Sequence, residues 1–228
     1  MDIRKTERRL KKKVESVLYN PAEKRHAMVG PAKLWKTKRD FQIQFLRRIG
    51  LKPDHYFLEI GCGTLRGGVP IIDYLDSARY YGIEARANVL EEGKKELAEA
   101  NLLQKVPVLI AAEDISTVKL NQEFDYIWAF SVLIHMKDEI LKDCFSFVSK
   151  HLKSDGYFYA NVNTSTGPDG EWKGEDFLFP IVHRSLEFYK EACAINGLKL
   201  TTVGKLRDLG HITKTQSDDH QMLKISKS

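Results

Sequence analysis

From about residue 56 onward, apolar residues come in short runs whose repeat alternates between two residues and the helical period. YFLEIG (56–61) reads as a strand, GGVPIIDYL (67–75) as a helix and RYYGIE (79–84) as a strand. A helix from Asn88 to Leu103 follows, with Asn88 and Glu91 in the N-x-x-E spacing of a capping box. VPVLIAA (106–112) and FDYIWAF (124–130) continue as strands, Asp138 to Leu152 as a helix and GYFYANV (156–162) as a strand. Short apolar strands joined by crossover helices are what a parallel sheet covered on both faces requires. Near the end the pattern changes. Val182, Leu186, Tyr189 and Cys193 keep helical spacing and Gly197 supplies a stop. LKLTTVG (198–204) and HQMLKIS (220–226) then read as a closing pair with no crossover between them. The expected fold is α/β, a doubly wound sheet of seven strands that is mostly parallel with an antiparallel last strand.

The first fifty residues are different in kind. Ile3, Leu10, Val14, Val17 and Leu18 lie at helical spacing among lysines and arginines, and Asn20-Pro21 is read as the stop of this basic helix. NPAEKRHAMVGPA (20–32) is read as a loop. A second helix is expected from Lys33 to Ile49, with Leu34, Phe41, Phe45 and Ile49 on one stripe and Gly50 as its end. Residues 1–52 are thus expected to form a helical extension or cap, and 53–228 the main domain. The extension carries sixteen Lys/Arg against five Asp/Glu, a balance of +11, while the remainder carries twenty against twenty-six, a balance of −6. Such a basic arm suits a solvated face first, with a nucleic-acid, membrane-surface or acidic-ligand contact, or a homodimer interface, as the alternatives.

With 228 residues and 43% apolar content, the chain suffices for one well-buried core. No apolar run approaches the roughly 18 residues of a membrane span, and the opening MDIRKTERRLKKK is unlike a signal peptide. Cys62, Cys144 and Cys193 are odd in number and widely spaced, which removes disulfide and zinc frameworks. A cytoplasmic protein with reduced thiols and no bound metal is expected.

The chemistry concentrates in FLEIGCGTLRGG (57–68), where a strand runs into a glycine turn and then a helix. In a doubly wound sheet this turn is where a nucleotide-like ligand sits. The spacing is G-x-G-x-x-x-G rather than the G-x-G-x-x-G of dinucleotide binders, and Glu59 stands two residues before the first glycine. A carboxylate there disfavours a pyrophosphate and suits a cationic ammonium or sulfonium.

This E-x-G-x-G turn, with the acidic strand ends that follow it, resembles the class I S-adenosylmethionine-dependent methyltransferases over roughly residues 56–228. The resemblance implies the Rossmann-like sheet of that family and S-adenosylmethionine as cofactor. Position by position, it implies that the Gly61-Cys62-Gly63 turn cradles the methionine part with Glu59 beside it. Glu84, followed by Ala85, matches the acid that grips both ribose hydroxyls. Asp114 matches the acceptor of the adenine amino group, Ile115 flanks the base, and Phe130 falls where the fourth strand passes the cofactor. The chain departs from the commonest pattern in having Leu65, then Arg66-Gly-Gly, where many relatives place a glycine after the threonine. Arg66, or Lys38 or Arg39 upstream, is a candidate partner for the cofactor carboxylate.

The acceptor is expected to be a small molecule methylated on oxygen or nitrogen, a sugar or a biosynthetic intermediate. An RNA held by the basic arm is the second reading, and a non-enzymatic binding module the third. No N/D-P-P-Y sequence and no cysteine in the fourth motif are present, which argues against adenine, glutamine and cytosine as acceptors. A base for the acceptor proton would suit histidine, whose ordinary pKa is near neutral. His135, just after the fourth strand, is the first candidate, and His183 and His26 the weaker ones. The long polar stretch from Asn163 to Ile181 is expected to act as a lid, with Trp35, Trp172, Phe177 and Phe179 as pocket walls.

Overall fold

The computed structural model describes residues 19–164, 171–173 and 181–228. The basic helix expected over residues 3–18, and the side chains of Trp172, Phe177 and Phe179, lie outside the described residues.

Five strands, β1 (Phe57–Ile60), β2 (Tyr80–Glu84), β3 (Val108–Ala111), β4 (Phe124–Ala129) and β5 (Leu152–Val162), pair in parallel. β8 (Leu198–Lys205) and β9 (Gln221–Lys227) complete a seven-stranded sheet in the order β3-β2-β1-β4-β5-β9-β8. β9 runs antiparallel to both of its neighbours, so it is the one reversed strand of this sheet. A separate pair, β6 (Glu171–Lys173) and β7 (Ile181–His183), is antiparallel; β6 falls within the expected lid stretch and β7 begins at its last residue.

Alternation along the strands sends neighbouring residues into two cores. Leu58, Ile127 and Phe158 face one side, where α5 (Asp138–His151) contributes Leu141, Phe145 and Val148, and α6 (Leu186–Ile195) contributes Tyr189 and Cys193. Phe57, Trp128 and Tyr159 face the other, under α2 (Trp35–Arg48), α3 (Gly68–Tyr74) and α4 (Ala87–Glu99). Phe41, Phe45 and Leu46 of α2 belong to that second core. The indole N–H of Trp128 donates to Gln42 Oε1 at 2.9 Å, a buried polar tie between α2 and the sheet.

Four details differ from the pattern reading. Asn20-Pro21 starts a helix instead of closing one: α1 (Pro21–Ala27) has Asn20 as N-cap and a full capping box with Glu23, each side chain accepting from the other's backbone N–H. Proline fits the first helical position because its missing N–H has no partner there anyway. Asn88 lies inside α4, whose N-cap is Arg86 with no side-chain cap, so the expected Asn88 capping box does not form. Val182 belongs to β7 and not to the following helix, which starts after Ser185; the Ser185 hydroxyl accepts from Phe188 N. β5 begins at Leu152, directly after α5, and a register shift against β4 absorbs the extra residues.

Replacing Gln42 by leucine strands the Trp128 N–H in the core, at a cost of about 1–3 kcal/mol. Thermal unfolding should show the variant melting lower by roughly 2–4 °C for each kcal/mol lost; an unchanged midpoint would mean that the tie contributes nothing.

Candidate active site

β1 ends in a turn that only glycine tolerates easily. Gly61 and Gly63 have φ of 71° and 57°, and the N–H groups of Gly61 and Cys62 both donate to Ile83 O, at 2.8 and 3.0 Å. A methyl group on Gly61 would stand 2.5 Å from Val132 Cγ2, and one on Gly63 2.8 Å from Val29 Cγ1. The turn is therefore gripped between the segment after β4 and the segment before α2.

Leu65 explains the departure from the commoner glycine pattern. It keeps a left-handed φ of 57° and is fully buried. A methyl group on Gly68 would lie 2.8 Å from Leu65 Cδ2, and one on Gly93 of α4 3.1 Å from Leu65 Cγ. The strain of a left-handed leucine is offset by burial in space that two glycines elsewhere leave open.

Three charged side chains meet around the turn. Glu59 is buried and accepts from the Tyr80 hydroxyl at 2.5 Å; burial pushes its pKa up to about 7, against the Tyr80 bond and the Arg66 charge. Glu84 Oε2 accepts from Gly63 N at 3.0 Å, and Oε1 accepts from Arg86 N and Nε at 3.2 and 2.8 Å. Arg66 donates through Nη1 to Val29 O at 2.9 Å, its Nε is buried without a partner among the described residues, and burial brings its pKa down to about 10.

These groups open onto a cavity of about 1040 Å³ at the carboxyl ends of β1, β2 and β4. Glu84 and Ala85 border it on one side, with Ala112 and Ile115 near the end of β3; Phe130, Ser131, His135 and His183 border it beyond β4. Residues 58–158 match a family described as Methyltransferase domain. Residues 58–158 therefore carry a methyltransferase domain.

No curated protein matches the sequence significantly. The methyltransferase domain's likeness to solved structures is one of fold. A S-adenosylmethionine-dependent methyltransferase from Clostridium acetobutylicum ATCC 824 superposes with a TM-score of 0.61 at 19% identity, over 85% of this chain and 91% of that one. Magnesium protoporphyrin IX methyltransferase (ChlM) from Synechocystis PCC 6803, with bound SAM, gives 0.62 at 15% identity over 86% and 81%. The glycopeptide N-methyltransferase MtfA gives 0.64 at 16% identity over 83% and 90%.

Most of the methyltransferase positions expected from the sequence come together. Glu59, Gly61, Cys62, Gly63, Arg66, Glu84, Ala85, Ile115, Phe130, His135 and His183 all border the cavity. Three do not. Asp114 turns its carboxylate to Ser116 N, at 2.8 Å, capping a short 3-10 turn, while its neighbour Glu113 borders the cavity instead. Arg39 donates to Asp40 at 3.1 Å, away from the cavity wall. His26 stacks on Trp35 with ring centroids 3.7 Å apart, and its Nε2 lies 3.0 Å from Glu96 Oε1. The His26 ring holds α1 onto α4, together with the Arg25 ion pairs to Glu96 and Glu99, while Trp35 stacks on it from the start of α2 and is not a pocket wall.

Other residues at the cavity were not legible in the motifs. Gln42, Asn163, Gln216, Ser217 and His220 border it, and Lys38, an alternative to Arg66 in the sequence, does too. Burial, aided by the Arg66 charge, brings the Lys38 pKa down to about 8. The available signal was HITKTQSDDH (211–220), a dense polar run between two strands. It is organised by Asp218, which accepts from His211 Nδ1 at 2.8 Å and from the backbone N–H groups of Thr213 and Lys214.

Glu59 gives a pH-dependent signature. Its pKa is raised from an ordinary 4.5 to about 7, so the stability it contributes is present below about 4.5 and is lost as pH rises through about 7. Glu59→Gln cannot ionise and keeps an acceptor for Tyr80. Urea unfolding at pH 4.5 and 8 should show the variant gaining on the parent by on the order of 3 kcal/mol as pH rises. A constant gap would place the Glu59 pKa in the ordinary range.

Proposed function

We propose that the chain transfers the methyl group of S-adenosylmethionine directly to an oxygen or nitrogen of a small molecule. The observation that carries this reading is the single cavity in which the glycine turn and Glu84 face His135 and His183. Its volume of about 1040 Å³ lies at the upper end of small-molecule sites, roughly 300–1,000 Å³, which leaves room for a cofactor and an acceptor together. Solved relatives in fold whose names give an acceptor, a magnesium protoporphyrin and a glycopeptide, agree with a small-molecule class.

The residues present fit the cofactor. Glu84 offers only acceptors, which suits two vicinal hydroxyls, and a ribose there takes the place of one of its present donors, Gly63 N or Arg86. Ile115 and Ala112 supply apolar walls for a base. The unpartnered Nε of buried Arg66 suits the amino-acid carboxylate. Glu59, behind the turn, compensates Arg66 and favours a cationic group above it.

S-adenosylmethionine supplies, when bound, a methyl group already activated on a sulfonium. What remains for the protein is alignment and proton removal. Gly61 and Gly63 keep the turn close to the ligand, Phe130 walls the site beside β4, and His135 takes the acceptor proton, with His183 further along the same wall. His26 and Arg39 have no part in this assignment, because neither reaches the cavity.

Calorimetric titration tests the reading. The purified chain should bind S-adenosylmethionine and not NADH, and Glu84→Ala should weaken binding by about tenfold or more, the loss expected when a charged hydrogen-bond partner is removed. Binding of NADH, or an affinity indifferent to Glu84, would overturn it.

A further inference from the structure

Asn161, near the end of β5, sits between two partners that fix which way its amide faces. The backbone N–H of Ser131 donates to Asn161 Oδ1 at 2.7 Å, and Asn161 Nδ2 lies 3.0 Å from His220 Nδ1. A backbone N–H can only donate, so the amide oxygen must face Ser131 and the NH2 must face the imidazole. His220 Nδ1 therefore accepts, which puts the ring proton on Nε2. Nε2 has no protein partner among the described residues, and His220 borders the cavity beside Ser131 and His135.

The relay is built at some cost. Ser131 holds a left-handed φ of 60°, and its hydroxyl is buried without a partner among the described residues. A strained, non-glycine residue at a cavity wall persists only where its surroundings over-determine it, and here the Asn161 bond is what holds the Ser131 N–H. The surroundings of His220 also keep the ring neutral. Burial and the charges of Lys38 on α2, His211 before β9 and His135 after β4 lower its pKa to about 4, with Asp219 pulling weakly the other way. Protonating Nδ1 would set two donors face to face with Asn161.

We propose that His220 orients the methyl acceptor, presenting a fixed Nε2–H to a carboxylate or carbonyl oxygen of that molecule. It is a donor and not a base. This rests on the methyltransferase reading above and deepens it: the proton of the methylated atom leaves through another group, and molecules with no acceptor oxygen to offer are excluded.

The test uses the full chain, 15N-labelled and saturated with S-adenosylhomocysteine. Long-range 1H–15N spectra should show His220 as the neutral Nε2–H tautomer across roughly pH 5.5–8.5, consistent with its pKa near 4. Asn161→Asp, which can only accept, should convert it to the Nδ1–H or cationic form. Benzoate, as the probe, should move the Nε2–H resonance; it should bind about tenfold or more weakly to His220→Phe, the loss of one charged hydrogen bond, with affinity recovered in His220→Gln. Benzylamine should leave the resonance in place. If Asn161→Asp does not fold, the parent spectrum and the His220 variants carry the test. An Nδ1–H or charged His220 in the parent, no benzoate shift, or equal benzoate affinity in His220→Phe overturns the proposal. A chain that takes up no S-adenosylhomocysteine overturns the underlying cofactor reading instead, and the tautomer is then still read on the free protein.

Discussion

In a sheet ordered β3-β2-β1-β4-β5, the connections leaving β1 and β4 depart to opposite faces, so a crevice must open between the carboxyl ends of those two strands. Every element of the site is placed by that reversal. The glycine turn leaves β1 toward α3, the Ser131–His135 segment leaves β4 toward α5, and Glu84 ends β2 alongside. Crossing the reversal, Val132 fills the space that a side chain on Gly61 would need. The two sides of the crevice are thus in contact at its floor, and a change at either is felt at the other.

Around that floor the protein places charge where water is scarce. Glu59 and Arg66 are both buried and oppose each other, one pushed toward neutrality from below and the other from above. Arg66 also ties the turn to the strap before α2 through Val29 O, and Arg86 does the same for Glu84 through Met28 O. Residues 28–31 therefore lie across the site as part of its wall, anchored at their far end by the Arg25 and His26 contacts to α4. His26, read from the sequence as a candidate base, is here part of the fastening of that strap.

Strong periodicity made the sheet legible. Runs such as FDYIWAF, with one face to each core, allow few readings, and the absence of a crossover before the last strand gave its direction. The glycine turn and Glu84 were legible for a different reason, because a backbone turn and a strand-end acid are set by local sequence. Asp114 was not, since a carboxylate one residue from another can be traded for its neighbour by a short 3-10 turn. Asn20 shows the same limit: an N-x-x-E with proline reads equally as a stop or a start until the next segment is known. His220 and Asn161 were out of reach because their partnership spans 59 residues and is made by β5 and β9 lying side by side.

The most direct test of the account is a crystal structure of the chain with S-adenosylhomocysteine. The ribose hydroxyls should lie on Glu84 in place of one of its present partners, with the sulfur between the Gly61–Gly63 turn and the wall formed by His135 and His220. A ligand bound in the opposite direction, or away from Glu84, would contradict it.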